Sequence, residues 1–137
     1  MSKILALDVG DVWTGTALSD ALALLARPYK TVKTVQLETF LKDLLDSEPI
    51  DSVVVGNPRT LRGTVSQQTV KAQQVKERLE RKFDMVSWVL WDERLTSKRA
   101  QALKRSTTKD ERIDSHSIAA AFILDSYLEY RRFHRPE

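Results

Sequence analysis

Three short apolar runs constrain this chain more than anything else in it. They are Ile4–Leu7 in "KILALD", Val53–Val55 in "DSVVVGNP" and Trp88–Trp91 in "MVSWVLWDER". Each has the length of a buried strand, and each stops at a carboxylate or at Gly-Asn-Pro. Between the first two runs, "DVGD" signals a turn, and "VWTGTALS" and "RPYKTVKTV" read as further strands. Short turns make these first three strands antiparallel. The later runs are separated by helical patterns, so they should return parallel to the first through crossovers.

Those helical patterns are distinct. "LETFLKDLLDS" spaces Leu37, Phe40, Leu41, Leu44 and Leu45 for one helical face, and Pro49 ends it. Residues 64–83 favour helix, with Val65, Val70, Val75 and Leu79 as core contacts. "TSKRAQALKR" predicts a short basic helix capped by Thr96 or Ser97. "RSTTKDER" reads as a charged polar loop. The last helix is expected to run from Asp114, with Ile118, Ala121, Phe122, Leu124 or Asp125, and Leu128 on its apolar face. The order β-β-β-α-β-α-β-α-α predicts an α/β fold: a mixed five-stranded sheet with helices on both faces. With no repeat or linker, residues 1–137 are expected to form one domain.

Composition removes several function classes. The chain has no cysteine, which excludes disulfides, thiolate zinc sites and cysteine nucleophiles. The start lacks the apolar core of a signal peptide, and no run is long enough to cross a bilayer, so a cytoplasmic protein without a membrane partner is expected. Charge is uneven. Residues 1–58 hold 5 Lys/Arg against 8 Asp/Glu, and residues 59–137 hold 17 against 11. A basic half suits a polyanion, though a solvated helix face and a basic tail read the same way.

The acids sit in a telling pattern. Asp8 ends the first strand, and Asp92-Glu93 end the last. If those strands are parallel, both ends open on the edge where α/β sheets hold ligands. Asp114 and His116 open the last helix. Oxygen ligands from separate chain positions suit Mg²⁺ or Mn²⁺, which can promote phosphodiester hydrolysis. Singly, each residue has a plainer reading: Asp8 closes a turn, Asp92 and Glu93 precede a helix, Asp114 caps one, and His116 packs.

The stretches "LALDVGDVWTGTALSD", "VVVGNP" followed by "RGT", "WDERLTS" and "SIAAAFILDSYL" together resemble the YqgF/RuvX family of Holliday junction resolvases, also described as pre-16S ribosomal RNA nucleases. The resemblance spans nearly the whole chain. It implies an RNase H-like fold and a metal-dependent nuclease of the cytoplasm. It assigns Asp8 as the first-strand acid and Glu93 as the second, with Asp92 as an alternative ligand or an orienting group. The family's helix aspartate falls on His116, so the third ligand is either His116 or Asp114. An imidazole there would tilt preference toward Mn²⁺. Trp13 stands where the family usually has a basic residue; it would either stack on a base or pack in the core. Lys98, Arg99, Lys104 and Arg105 are expected to grip phosphates, and Arg59 and Arg62 to contact the strand near the site. The nucleic-acid partner is RNA or branched DNA, and junction cutting would call for a homodimer. Two rivals stay open. One is a nucleotide-binding enzyme built on "DVGDVWTGTAL". The other is a non-catalytic nucleic-acid binder or ribosome-assembly factor on an inherited nuclease fold.

Overall fold

Alternate residues of a strand face opposite sides. "ILAL" is apolar on both, so it belongs at the centre of a covered sheet. The computed structural model places it there; it describes residues 2–57, 67–92 and 109–134, apart from the side chains of residues 68 and 109–114. Strand β1 (Lys3–Val9) pairs antiparallel with β2 (Trp13–Ser19) and parallel with β4 (Ile50–Asn57). Beyond them lie β3 (Ala26–Lys33), antiparallel to β2, and β5 (Ser87–Asp92), parallel to β4. The sheet order is β3-β2-β1-β4-β5, the mixed arrangement the sequence predicts.

Helices cover both faces. Leu5, Leu7, Val9, Val53 and Val55 meet Leu37, Leu41 and Leu44 of α1 (Leu37–Ser47) and Ala72, Val75 and Leu79 of α2 (Gln67–Lys82). On the other face Ile4, Ala6, Ala17, Val54 and Trp91 meet Ala120, Ile123, Leu124 and Leu128 of α3 (Lys109–Phe133). Each fully buried leucine or isoleucine here contributes about 1.5–3 kcal/mol of transfer free energy. Trp91 also packs edge-on against Tyr127, at 5.4 Å between ring centres, and its indole N–H donates to Ser126 Oγ at 3.2 Å.

Several details depart from the sequence reading. The third strand ends at Lys33, and a 3-10 turn over Thr34–Gln36 leaves Val35 exposed. Val70 is exposed rather than in the core. The last helix starts at Lys109, inside the stretch expected to be a loop; its "KDER" residues include good helix formers, with acids suited to a first turn. Its buried face runs through Ala119, Ala120, Ile123, Leu124 and Leu128, while Ile118, Ala121 and Phe122 are only half-buried. The small side chains of Ala6 and Ala17 let the alanine face approach the sheet closely. The helix expected at 96–105 and the core contact expected at Val65 lie outside the described residues.

A carboxylate organises the β2–β3 turn. Asp20 Oδ1 accepts from the N–H groups of Leu24, at 2.7 Å, and Leu25, at 3.0 Å. This holds Ala23 at a left-handed φ of 56°, which alanine adopts only under constraint. The Leu25 and Leu24 amides favour the ionised carboxylate and lower its pKa below the ordinary 3.8. Its contribution to stability is therefore full above that value and fades as pH falls through the lowered folded-state pKa. Hydrogen exchange at the Leu24 and Leu25 amides should quicken in Asp20→Ala. In the wild type the loss of protection should appear only on acidification below the usual carboxylate range.

Candidate active site

Strand alternation decides which acid faces which helix. Leu5, Leu7 and Val9 point toward α1 and α2, so Asp8 points toward α3 with Ile4 and Ala6. Its side chain is only 7% exposed. A buried carboxylate is costly unless a cation or hydrogen-bond donors meet it. His116 of α3 is one such partner: its Nδ1 lies 3.4 Å from Asp8 Oδ2. The imidazole keeps 27% of its surface, so the pair opens to solvent from the histidine side.

Two glycines seat His116. Gly15 lies opposite Asp8 in the β1–β2 register. A Cβ built on it would fall 2.0 Å from the His116 carbonyl oxygen and 2.5 Å from Ser117 N. The α3 backbone therefore rests directly on Gly15, which is what an isolated glycine within a strand can signal. Next to Gly15 the β2–β3 register shifts, and Thr16 Oγ1 spans the irregularity by accepting from Lys30 N at 2.9 Å and donating to Lys30 O at 2.6 Å. Gly10 closes the β1–β2 turn by donating to Trp13 O at 3.0 Å. A Cβ there would lie 3.4 Å from His116 Cε1. Trp13 shares the α3-facing side of β2 with Gly15 and Ala17; it is half-buried and belongs to neither core cluster.

Of the acids expected at the last strand, Asp92 is described. It pairs with Asn57 at the ends of β5 and β4. Both continue the side of Trp88, Leu90 and Val55, which pack with α1 and α2. Asp92 thus faces away from Asp8 and His116. Glu93, Arg59, Arg62, Lys98, Arg99, Lys104 and Arg105 lie outside the described residues. Asp114 lies in α3, about 200° around the axis from His116; its side chain is outside the described set. Among the described residues no group of three or more His, Asp or Glu could hold a metal ion. The structure joins Asp8 to His116 and separates both from Asp92. Two features escape the sequence reading. Gly15 acts as a seat for α3. Asn57 is buried, and its Oδ1 has no partner among the described residues; its place in "Gly-Asn-Pro" reads only as punctuation.

The distance between the two donors is informative. Neighbouring ligand atoms of an octahedral cation with bonds near ~2.1 Å stand about 3 Å apart. The 3.4 Å between Nδ1 and Oδ2 is close to that spacing. One hard oxygen and one imidazole nitrogen therefore fit two adjacent positions of a small divalent cation.

Comparison with known proteins agrees with this architecture. The model of the RuvX family, described as Holliday junction resolvase, matches residues 2–130. A Rubrobacter xylanophilus protein described as "Putative pre-16S rRNA nuclease" is 41% identical over 128 residues, covering 93% of this chain and 92% of its own length. A Christiangramia forsetii protein with the same description is 35% identical over 134 residues, covering 93% of this chain and 98% of its own length. Among solved structures, Thermus thermophilus RuvC in complex with a Holliday junction substrate superposes over 100% of this chain and 99% of its own, with a TM-score of 0.66 at 14% identity. That likeness speaks for the fold. A family match across almost the entire sequence, with relatives of this identity aligned nearly end to end, makes the chain a member of the RuvX nuclease family with an RNase H-like fold.

Proposed function

We propose that this protein hydrolyses phosphodiester bonds in nucleic acid with a divalent cation, Mg²⁺ or Mn²⁺, held by Asp8, His116 and Glu93. The observation that carries the reading is the approach of a buried carboxylate and an imidazole at the C-terminal edge of β1. The cation would supply Lewis acidity to the charge that builds on the phosphoryl oxygens. The chain's own residues do the rest. Asp8 provides negative charge at a position set by the sheet. Gly15 and Gly10 let His116 reach it. Glu93, one residue beyond Asp92, is the acid we assign as the further ligand, because Asp92 faces the other side. His116, and not Asp114, serves as the helix ligand. Arg59, Arg62, Lys98, Arg99, Lys104 and Arg105 contact phosphates, so affinity falls steeply with salt.

The substrate we assign is precursor 16S ribosomal RNA, since relatives at 41% and 35% identity carry that description. Junction DNA is the second reading, favoured by the family description; it would need a two-fold dimer to cut paired strands. A gel assay separates them, with single-stranded RNA, single-stranded DNA, duplex DNA and a synthetic four-way junction offered under each cation. Cleavage of RNA alone is expected. Cleavage of the junction in preference would replace the first substrate by the second. Binding without cleavage under either cation would leave a non-catalytic binder.

Imidazole is a softer ligand than carboxylate, so the wild type should turn over faster with Mn²⁺ than with Mg²⁺. His116→Asp should move that preference toward Mg²⁺, and His116→Ala should cost at least about ten- to a hundred-fold in cation affinity. Equal rates with both cations, together with full activity in His116→Ala, would remove His116 from the site.

A further inference from the structure

Beside the catalytic edge lies a groove of about 410 Å³, on the opposite face of the sheet from α3. The β1–β2 turn gives it Asp11, the 3-10 turn gives Thr34 and Val35, and α2 gives Lys71, Gln74 and Arg78. We propose that this groove is a second nucleic-acid contact, which takes the phosphodiester backbone of the strand running to or from Asp8. The inference rests on the nuclease reading above and deepens it.

Position is the first argument. Asp11 is three residues beyond Asp8. Thr34 ties the groove wall to the same turn: its Oγ1 donates to Gly10 O at 2.8 Å, and its N–H donates to Val12 O at 2.8 Å. A strand held here is registered against the catalytic carboxylate through a few rigid bonds.

Charge is the second. Two of the five α2 cations are paired away from the groove. Lys76 pairs with Glu80 and Lys82 with Glu38. Arg78 faces the groove and makes no ion pair among the described residues. Lys71 pairs with Asp11 across the groove mouth. Both partners are about half-exposed, at 47% and 57%, so the pair is weak in water and a phosphate can replace the carboxylate. Lys71, Gln74 and Arg78 fall at i, i+3 and i+7, along one face of the helix. Seven residues of helix rise ~10 Å. At about 3.4 Å per nucleotide that is close to three steps of a stacked strand.

Shape is the third. Val35, in the groove lining, stands 89% exposed, and Val12, next to Asp11 in the chain, stands 61% exposed. Apolar surface together with cations in one groove suits sugars and base faces as well as phosphates. A purely anionic small ligand would have no use for it.

The test measures binding in EDTA, where cleavage is silent, by anisotropy of labelled single-stranded RNA and single-stranded DNA across about 50 to 200 mM salt. Lys71→Gln and Arg78→Gln are exposed changes that leave the fold intact, which a thermal melt verifies. Each should weaken binding several-fold and flatten the slope of log affinity against log salt by about 0.7, the value for one lost single-strand phosphate contact. Asp11→Asn should do the opposite and tighten binding, because it frees Lys71. Effects on RNA alone assign the strand as RNA, and equal effects on both polymers assign the shared backbone. Wild-type affinity and slope in all three variants, from a protein that still cleaves, would overturn the groove and leave the nuclease standing. A wild type that neither binds nor cleaves either polymer would overturn both.

Discussion

Asp8→Asn should abolish cleavage with either cation, a fall of about a thousand-fold or more, equivalent to ~4 kcal/mol in the barrier. The substitution keeps the size and hydrogen-bonding reach of the side chain while removing its charge. Asparagine cannot match a carboxylate as a ligand for a hard cation. The fold should survive. An ionised group buried to this degree costs free energy that a neutral amide does not, so the thermal midpoint should hold or rise. Rate and stability therefore move apart, which an incidental core defect would not produce. Single-turnover cleavage and a thermal melt on the same preparation give both numbers. Cleavage at the wild-type rate would remove Asp8 from the chemistry, and a collapsed melt would recast it as a structural group.

Gly15→Ala should cause the largest loss of stability from one methyl group. The added carbon would lie 2.0 Å and 2.1 Å from the His116 carbonyl oxygen and carbon, and 2.5 Å from Ser117 N. All three atoms are backbone, so no side chain can rotate aside. Helix α3 must lift, and with it the apolar face of Ala120, Ile123, Leu124 and Leu128. Overpacking in a core costs about 1–3 kcal/mol, and a collision with helix backbone belongs at the upper end or beyond. At roughly 2–8 °C per kcal/mol for domains bracketing this size, ~3 kcal/mol corresponds to a fall of about 6–24 °C in thermal midpoint. Cleavage should fall as well, since His116 rides on the displaced turn. A midpoint within a degree of the wild type would show that α3 does not depend on this seat.

The architecture was readable because its signals are local. Each apolar run is one strand long, and turn residues mark where strands stop. The boundaries of α3 were not readable, because "KDER" serves a charged loop or a first helical turn equally well until the tertiary structure selects one. The proposed preference for His116 over Asp114 rests on the approach of His116 to Asp8, which the contact of α3 with Gly15 allows. Nothing in either residue reveals that contact. The residues alone did not separate Asp92 from Glu93, and only the family resemblance favoured Glu93; the register with Asn57 and the packing of Trp88 and Leu90 turn Asp92 toward α1 and α2. The basic character of the second half was plain. Lys71 and Arg78 carry no signal of their own in the sequence, because their common groove with Asp11 is made by residues 60 and 67 positions apart in the chain.

The central placement of β1 has a consequence in time as well as in space. It is hydrogen-bonded to a strand on either side and buried at every position from Ile4 to Val9. A strand so placed exchanges its amide protons only when the domain as a whole comes apart, whereas the outer strands β3 and β5 can open alone. Asp8 therefore belongs to the slowest-opening unit of the molecule. Partial openings at either rim, which must be far more frequent than global ones, leave the carboxylate where it was. If the proposed groove of Val35 and Lys71 takes a nucleic-acid strand, its side chains can adjust to that strand while Asp8 is held by the part of the protein that yields last.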